Sequence, residues 1–189
     1  MSAADPRAQA LLAFWFRGAA RDPRWFGKDA AFDREVRERF LALYEEGAAG
    51  ALSGWQGEAG ECLALLILLD QLPRTMFRGT ARAFATDAQA LQAARHALAR
   101  GYDRGRAPCE RMFLYLPFEH AESLAEQERA CELMQPLAAF EETHDVYRYA
   151  VAHRDIVARF GRFPHRNAIL GRASTPEELE FLKTPGSGF

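Results

Sequence analysis

Three short stretches carry side chains that could move protons or hold anions. The first is Asp70-Gln71-Leu72-Pro73-Arg74, followed by Phe77-Arg78-Gly79-Thr80. Asp70 ends the apolar run from Cys62 to Leu69. A carboxylate at the C-terminal end of a buried helix faces the negative end of the dipole and loses hydration, so it needs a partner. Arg74 and Arg78 are the nearest cations. Two readings stand: an Asp–Arg strut that fixes the following loop, or an arginine-lined anion site oriented by Asp70, with Gln71 beside it.

The second stretch is Leu116-Pro117-Phe118-Glu119-His120-Ala121-Glu122. Glutamates at a helix start are stabilised by the N-terminal dipole, which suffices to explain Glu119 and Glu122. His120 beside carboxylates is also a candidate general base. A metal would need more ligands, and no H-E-x-x-H or H-x-x-E-H spacing supplies them. In the third stretch, Val146, Tyr149, Ala150, His153, Val157 and Phe160 share one helical face. His153 on that face fits a satisfied core histidine or a second proton carrier. Arg159-Phe160-Gly161-Arg162-Phe163-Pro164-His165-Arg166-Asn167 follows at once. Six arginines and one acid lie between Arg148 and Arg172, against eight acids and one arginine between Glu119 and Asp145, so part of the basic segment neutralises the acidic one. A loop has no structural need for so many planar donors, and arginine's fork suits carboxylate or phosphate.

Several classes of chemistry are excluded. No phosphate loop, dinucleotide fingerprint or Ser-His-Asp order is present, and no cofactor is implied. A net charge of −2 provides no general basic field for nucleic acid, despite the Arg/Phe alternation after Arg159. No apolar run approaches the roughly 20 residues that span a bilayer. Cys62, Cys109 and Cys131 lack metal or redox spacing, and the first residues lack a basic, then apolar, leader. A reduced cytoplasmic protein is expected.

With 49% hydrophobic residues in a chain of 189, one domain with a sizeable core is expected. The elements that must position the three stretches are helical. Asp5-Pro6 opens a helix to about Gly18, with Ala8, Leu11, Leu12 and Trp15 inward. After a loop at Asp22-Pro23 comes a helix from Ala30 to Glu46, with Gly47 as its stop. The next helix, from about Gly57, is apolar on every face over Cys62–Leu69, as a central buried helix is, and Pro73 is expected to end it by Leu72. An alanine-rich helix spans Thr80–Arg100, with Phe84, Ala88, Leu91, Ala94 and Leu98 on its stripe. Pro108 begins a helix that Pro117 breaks or kinks, and a further one continues to Met134. Thr143 or His144 opens the next, ending at Gly161. Ser174-Thr175-Pro176-Glu177-Glu178 overlays two capping boxes on a short helix to Leu182. The expected fold is all-α, with seven or eight helices in one domain over residues 1–183 and a frayed tail over 184–189.

Trp25-Phe26, Leu69-Asp70-Gln71-Leu72-Pro73-Arg74, Phe77-Arg78-Gly79-Thr80, Leu116–Glu122 and Arg159–Asn167 together resemble the bacterial family catalogued as domain of unknown function 924. The resemblance spans about Leu11 to Leu182. It implies a tetratricopeptide-like stack of helix pairs and no established activity. One functional expectation is a small carboxylate or phosphate compound clamped by Asp70, Gln71, Arg74, Arg78, Glu119, Glu122, Arg162, His165, Arg166 and Asn167, with His120 or His153 moving a proton. The other is a helical-repeat module that binds a peptide or protein partner. Neither names a reaction or an oligomeric state. Convergence of Arg162 or Arg166 on Asp70, Glu119 or Glu122 is the geometric expectation common to the first.

Overall fold

The computed structural model describes residues 4–18 and 21–188. The first three residues and Phe189, on which parts of the leader and tail expectations fall, lie outside them, as do Ala19 and Ala20. Among the described residues there are eight α-helices and no strand: α1 (Pro6–Trp15), α2 (Ala30–Ala48), α3 (residues 59–76), α4 (Asp87–Ala99), α5 (Pro108–Glu119), α6 (Leu124–Met134), α7 (Val146–Phe160) and α8 (Pro176–Phe181). Short 3₁₀ turns lie in every link except those between α4 and α5 and between α5 and α6.

Local chemistry explains most boundaries. The Asp5 carboxylate accepts the Arg7 N–H at 2.9 Å ahead of Pro6. Asp29 caps α2 in the same way. Thr175 and Glu178 form a reciprocal capping box on α8. Gly161 ends α7 with φ +69°, where other residues are strained.

Helix α3 is the axis. Every residue from Cys62 to Leu69 is buried, and α1, α2, α4 and α5 surround it. Helices α5, α6 and α7 then pack each on the next. A smaller cluster of Ile156, Val157 and Phe163 pins the segment after α7.

Several boundaries differ from expectation. Helix α3 does not stop at Leu72: it passes Pro73 through a π-helical turn at Ile67–Gln71 and ends at Met76. Gly47 lies inside α2 and is no stop; a Cβ there would stand 2.9 Å from Leu68 Cδ2, so its bare backbone lets α2 approach α3. The segment from Thr80 divides into a 3₁₀ turn, Ala81–Phe84, and α4, which packs through Ala90, Ala93, Ala94 and Ala97 and leaves Ala88 exposed. Pro117 stays within α5, and the chain breaks three residues later, at His120. Helix α7 begins at Val146, after a separate 3₁₀ turn at Glu141–Thr143. In α1 Phe14 is buried and Leu12 only half-buried.

Candidate functional site

The π-helical turn gives Asp70 its setting. The Leu72 N–H donates to the carbonyl five residues back, Ile67. Pro73 has no N–H, which removes the α-helical donor of the Leu69 carbonyl four residues back. The Thr86 hydroxyl supplies one at 2.5 Å. The Asp70 carbonyl accepts from Arg74 Nη1 at 2.8 Å. Two side chains, Thr86 and Arg74, thus donate to the backbone on either side of the turn at Asp70.

The Asp70 carboxylate is 1% exposed. Its Oδ1 lies 2.7 Å from His120 Nδ1 and 3.4 Å from Arg74 Nη1, while Oδ2 accepts Gln71 Nε2 at 2.6 Å. Burial opposes its charge, but His120, Arg74 and Gln71 together hold it well below the usual carboxylate range. His120 caps the C-terminus of α5, its N–H donating to Leu116 O. Burial, then the Arg74 charge, pushes its imidazole down against the pull of Asp70. The pair is an anionic Asp70 and a neutral His120 whose Nδ1–H donates to the carboxylate, leaving Nε2 with its lone pair.

Around this pair runs a ring of charge. Arg74 bonds both oxygens of Asp87, at 2.8 and 3.0 Å. Arg166 Nη1 reaches Asp87 Oδ2 at 3.3 Å and the His120 carbonyl at 3.1 Å. The Arg166 guanidinium lies between the rings of Phe84 and Phe163, 4.6 and 4.5 Å from their centroids. Burial and then Arg74 push it down to about 10, so it stays charged at neutral pH. Its Nε has no hydrogen-bond partner. Arg172 grips Glu122 with two bonds, at 2.6 and 2.9 Å, and Glu122 also accepts the Phe163 N–H at 2.8 Å. Three carboxylates, Asp70, Asp87 and Glu122, thus balance three guanidiniums, Arg74, Arg166 and Arg172.

Behind them is a second carboxyl–imidazole pair. Glu119 Oε1 lies 3.2 Å from His153 Nδ1, which also donates to the Tyr149 carbonyl at 2.8 Å. Burial, reinforced by the Asp70 charge, pushes Glu119 up to about 8. Burial pushes His153 down to about 3. The two imidazoles are 6.4 Å apart, and His153 meets the edge of Phe163. His165, half-buried beside Phe163, is pushed down to about 4 by burial and Arg166. Exposure rises outward from Asp70: the His120 side chain is 13% exposed, Arg74 20% and Glu122 25%, so the cluster meets solvent on the Arg74, His120 and Glu122 side.

The structure brings Asp70, Gln71, Arg74, Glu119, His120, Glu122, His153, His165 and Arg166 together. It does not bring Arg78, Arg162 or Asn167. Arg78 bonds Asp33 at 2.6 and 3.0 Å and the Gly27 carbonyl, tying α3 to α2. Arg162 bonds Glu178 at 2.6 and 2.8 Å, and Asn167 Nδ2 joins them through Ser174 and Glu178, tying the segment after α7 to α8. Each has a partner carboxylate or hydroxyl that local sequence does not reveal. Of the two arginines, Arg166 is the one that reaches the cluster, and it bonds Asp87 and the His120 carbonyl.

Four contributors were not foreseen. Asp87 looks like an ordinary first-turn acid of an alanine-rich helix, yet it joins Arg74 to Arg166. Arg172 stands beside Gly171 within the basic stretch. Thr86 and Gln127 act on backbone carbonyls; Gln127 Nε2 donates to Glu119 O and Ala121 O at 2.6 and 2.7 Å, fixing the turn that carries His120. Among the described residues no group of three His, Cys, Asp or Glu side chains is placed as a metal site would require.

This arrangement can orient an imidazole, stabilise the imidazolium formed when it takes a proton, and present arginine donors beside it. The family model described as bacterial protein of unknown function (DUF924) matches residues 11–186. A solved structure of a protein of unknown function from Agrobacterium tumefaciens is similar, with 46% sequence identity and a TM-score of 0.86, covering 93% of this chain and 96% of that one. No curated protein matches the chain.

Proposed function

We propose, from the premise that the chain belongs to the DUF924 family of bacterial proteins of unknown function, that it binds a small carboxylate or phosphate compound beside Arg74, Arg166 and Arg172, where His120 takes up a proton. The observation that carries this reading is the Asp70–His120 pair: a carboxylate buried to 1% exposure, fixed at 2.7 Å on a partly exposed imidazole. A strut needs only an arginine, and Asp70 already has Arg74. The histidine adds a base whose pKa lies below neutrality and whose conjugate acid Asp70 stabilises. Arg166 is held through Nη1 alone, by Asp87 and the His120 carbonyl, and its Nε has no hydrogen-bond partner, so this guanidinium has a donor left for an incoming anion.

The stacking of α5, α6 and α7, each on the next, supports a tetratricopeptide-like arrangement as part of the same proposal. Cys62, Cys109 and Cys131 are buried and form no disulfide, which supports a reduced cytoplasmic setting.

The test is a thermal-shift titration of the whole chain with small carboxylates, phosphate esters, inorganic phosphate and carboxy-terminal peptides. A ligand of the native state raises the midpoint with its concentration. The expected result is a rise with one of the small anions, lost in R166K, while H120Q keeps binding and loses proton transfer. A rise with peptides alone points instead to the interaction module, and no concentration-dependent rise refutes the reading.

A further inference from the structure

The two carboxyl–imidazole pairs are unequal, and the inequality has a consequence for the site just proposed. Asp70 is surrounded by donors: His120, Gln71 and Arg74. Glu119 is 4% exposed and has nothing comparable. From α3 it faces the Asp70 carboxylate, which acts on it as a like charge. From α6 it faces the Cys131 thiol, while the Gln127 amide on that helix donates to the Glu119 and Ala121 backbone carbonyls. From α7 it faces His153, whose Nδ1–H is shared with the Tyr149 carbonyl. Arg166, across His153 and Phe163, bonds Asp87 and the His120 carbonyl. Among the described residues no lysine or arginine pairs with Glu119, and its Oε2 has no hydrogen-bond partner.

Two carboxyls in one buried cluster do not both ionise readily; the proton stays on the one with weaker support. We infer that Glu119 carries the proton that governs the site: neutral, it lets Asp70 stay ionised against His120, and its ionisation closes the site to anions. The inference rests on the reading of His120 as the base. Ionised Glu119 would add a negative charge beside Asp70. It would repel an incoming anion, while the His120 imidazole, which burial and Arg74 push down, stays neutral at that pH. Glu119 is thus a positioning residue that acts through Asp70 and His120. The proton it gives up passes to solvent, and the switch belongs near pH 8, where burial and Asp70 place this carboxyl.

The experiment follows the imidazole nitrogens of the ¹⁵N-labelled full chain by NMR between pH 6 and 10, in wild type and in E119Q. The expected result is a common step near pH 8 at two histidines, assigned to His120 and His153, that is absent from E119Q. Should E119Q not fold, infrared spectroscopy of the wild type reads the same event: a protonated-carboxyl band at neutral pH that disappears with the same midpoint. A wild type without the step, an E119Q that keeps it, or a spectrum with no protonated carboxyl at neutral pH would overturn the inference. If an anion binds, the wild type should lose about tenfold in affinity from pH 7 to pH 9, as the neutral fraction falls from about nine-tenths to about one-tenth, while the E119Q ratio stays near one. A step without anion binding upholds the state of Glu119 and refutes the proposed function. Anion binding without the step does the reverse.

Discussion

Replacing Thr86 by Val tests whether the backbone at Asp70 is held from outside its own helix. Thr86 is 3% exposed, and its hydroxyl donates at 2.5 Å to the carbonyl that Pro73 deprives of its α-helical donor. Valine keeps the branched shape and removes the donor, so the Leu69 carbonyl loses its bond in a buried setting. Such a group costs about 1–3 kcal/mol. For a domain of this size that lowers Tm by roughly 2–4 °C per kcal/mol. Pro73→Ala restores an N–H four residues beyond Leu69, and in that background the carbonyl has an alternative donor. The same Thr86→Val change should then cost about 1 kcal/mol less, a coupling that a double-mutant cycle on urea midpoints resolves. A loss below about 0.5 kcal/mol for T86V alone, or equal losses in both backgrounds, would refute the account of how α3 passes its proline.

Leu66 is completely buried in α3, so Leu66→Ala should destabilise by about 2–5 kcal/mol in chemical denaturation; under about 1 kcal/mol would mean that the helix is not the centre of packing. Stability should also fall on the alkaline side. Glu119 in the folded chain, at about 8, lies above its ordinary 4.5, so the folded state holds the extra proton and loses stability as pH rises to 8. His153 is shifted the other way, and its contribution grows with pH and levels off above 6.5. Between pH 7 and 9 the Glu119 slope outweighs what is left of the histidine slopes and amounts to about 1 kcal/mol, and urea midpoints that stay flat across that window would contradict it. Arg162→Ala should lower Tm, because it strips Glu178 of its guanidinium, yet leave an anion-dependent rise in Tm intact; loss of that rise would place Arg162 back in the site.

The helices were legible because their signals are local: Asp5-Pro6, Asp22-Pro23 and Thr175–Glu178 each satisfy their own turn. Pro73 misled because the remedy for its missing N–H comes from Thr86, thirteen residues on. Gly47 has the residue type of a helix stop, and the nearness of Leu68 across the core decides otherwise. The Asp70 and His120 segments were recognisable as polar groups in apolar settings, and burial does bring them together. Arginine assignments were the weak point. Arg78, Arg162 and Arg166 are equivalent in sequence, and which of them meets Asp33, Glu178 or Asp87 depends on tertiary geometry that spacing does not encode.

Arg166, clasped between Phe84 and Phe163, joins segments made far apart in time. During synthesis, at about 5–20 residues per second, Asp70, Asp87, Glu119 and Glu122 are in place before Arg166 and Arg172 exist. Until those two arrive, Glu122 lacks its cation and Asp87 has Arg74 alone. The nascent chain is therefore acidic where the finished protein is neutral. The charge balance of the cluster thus rests on the chain's last quarter: a chain cut short before Arg166 would leave Asp87 to Arg74 alone and Glu122 without its cation.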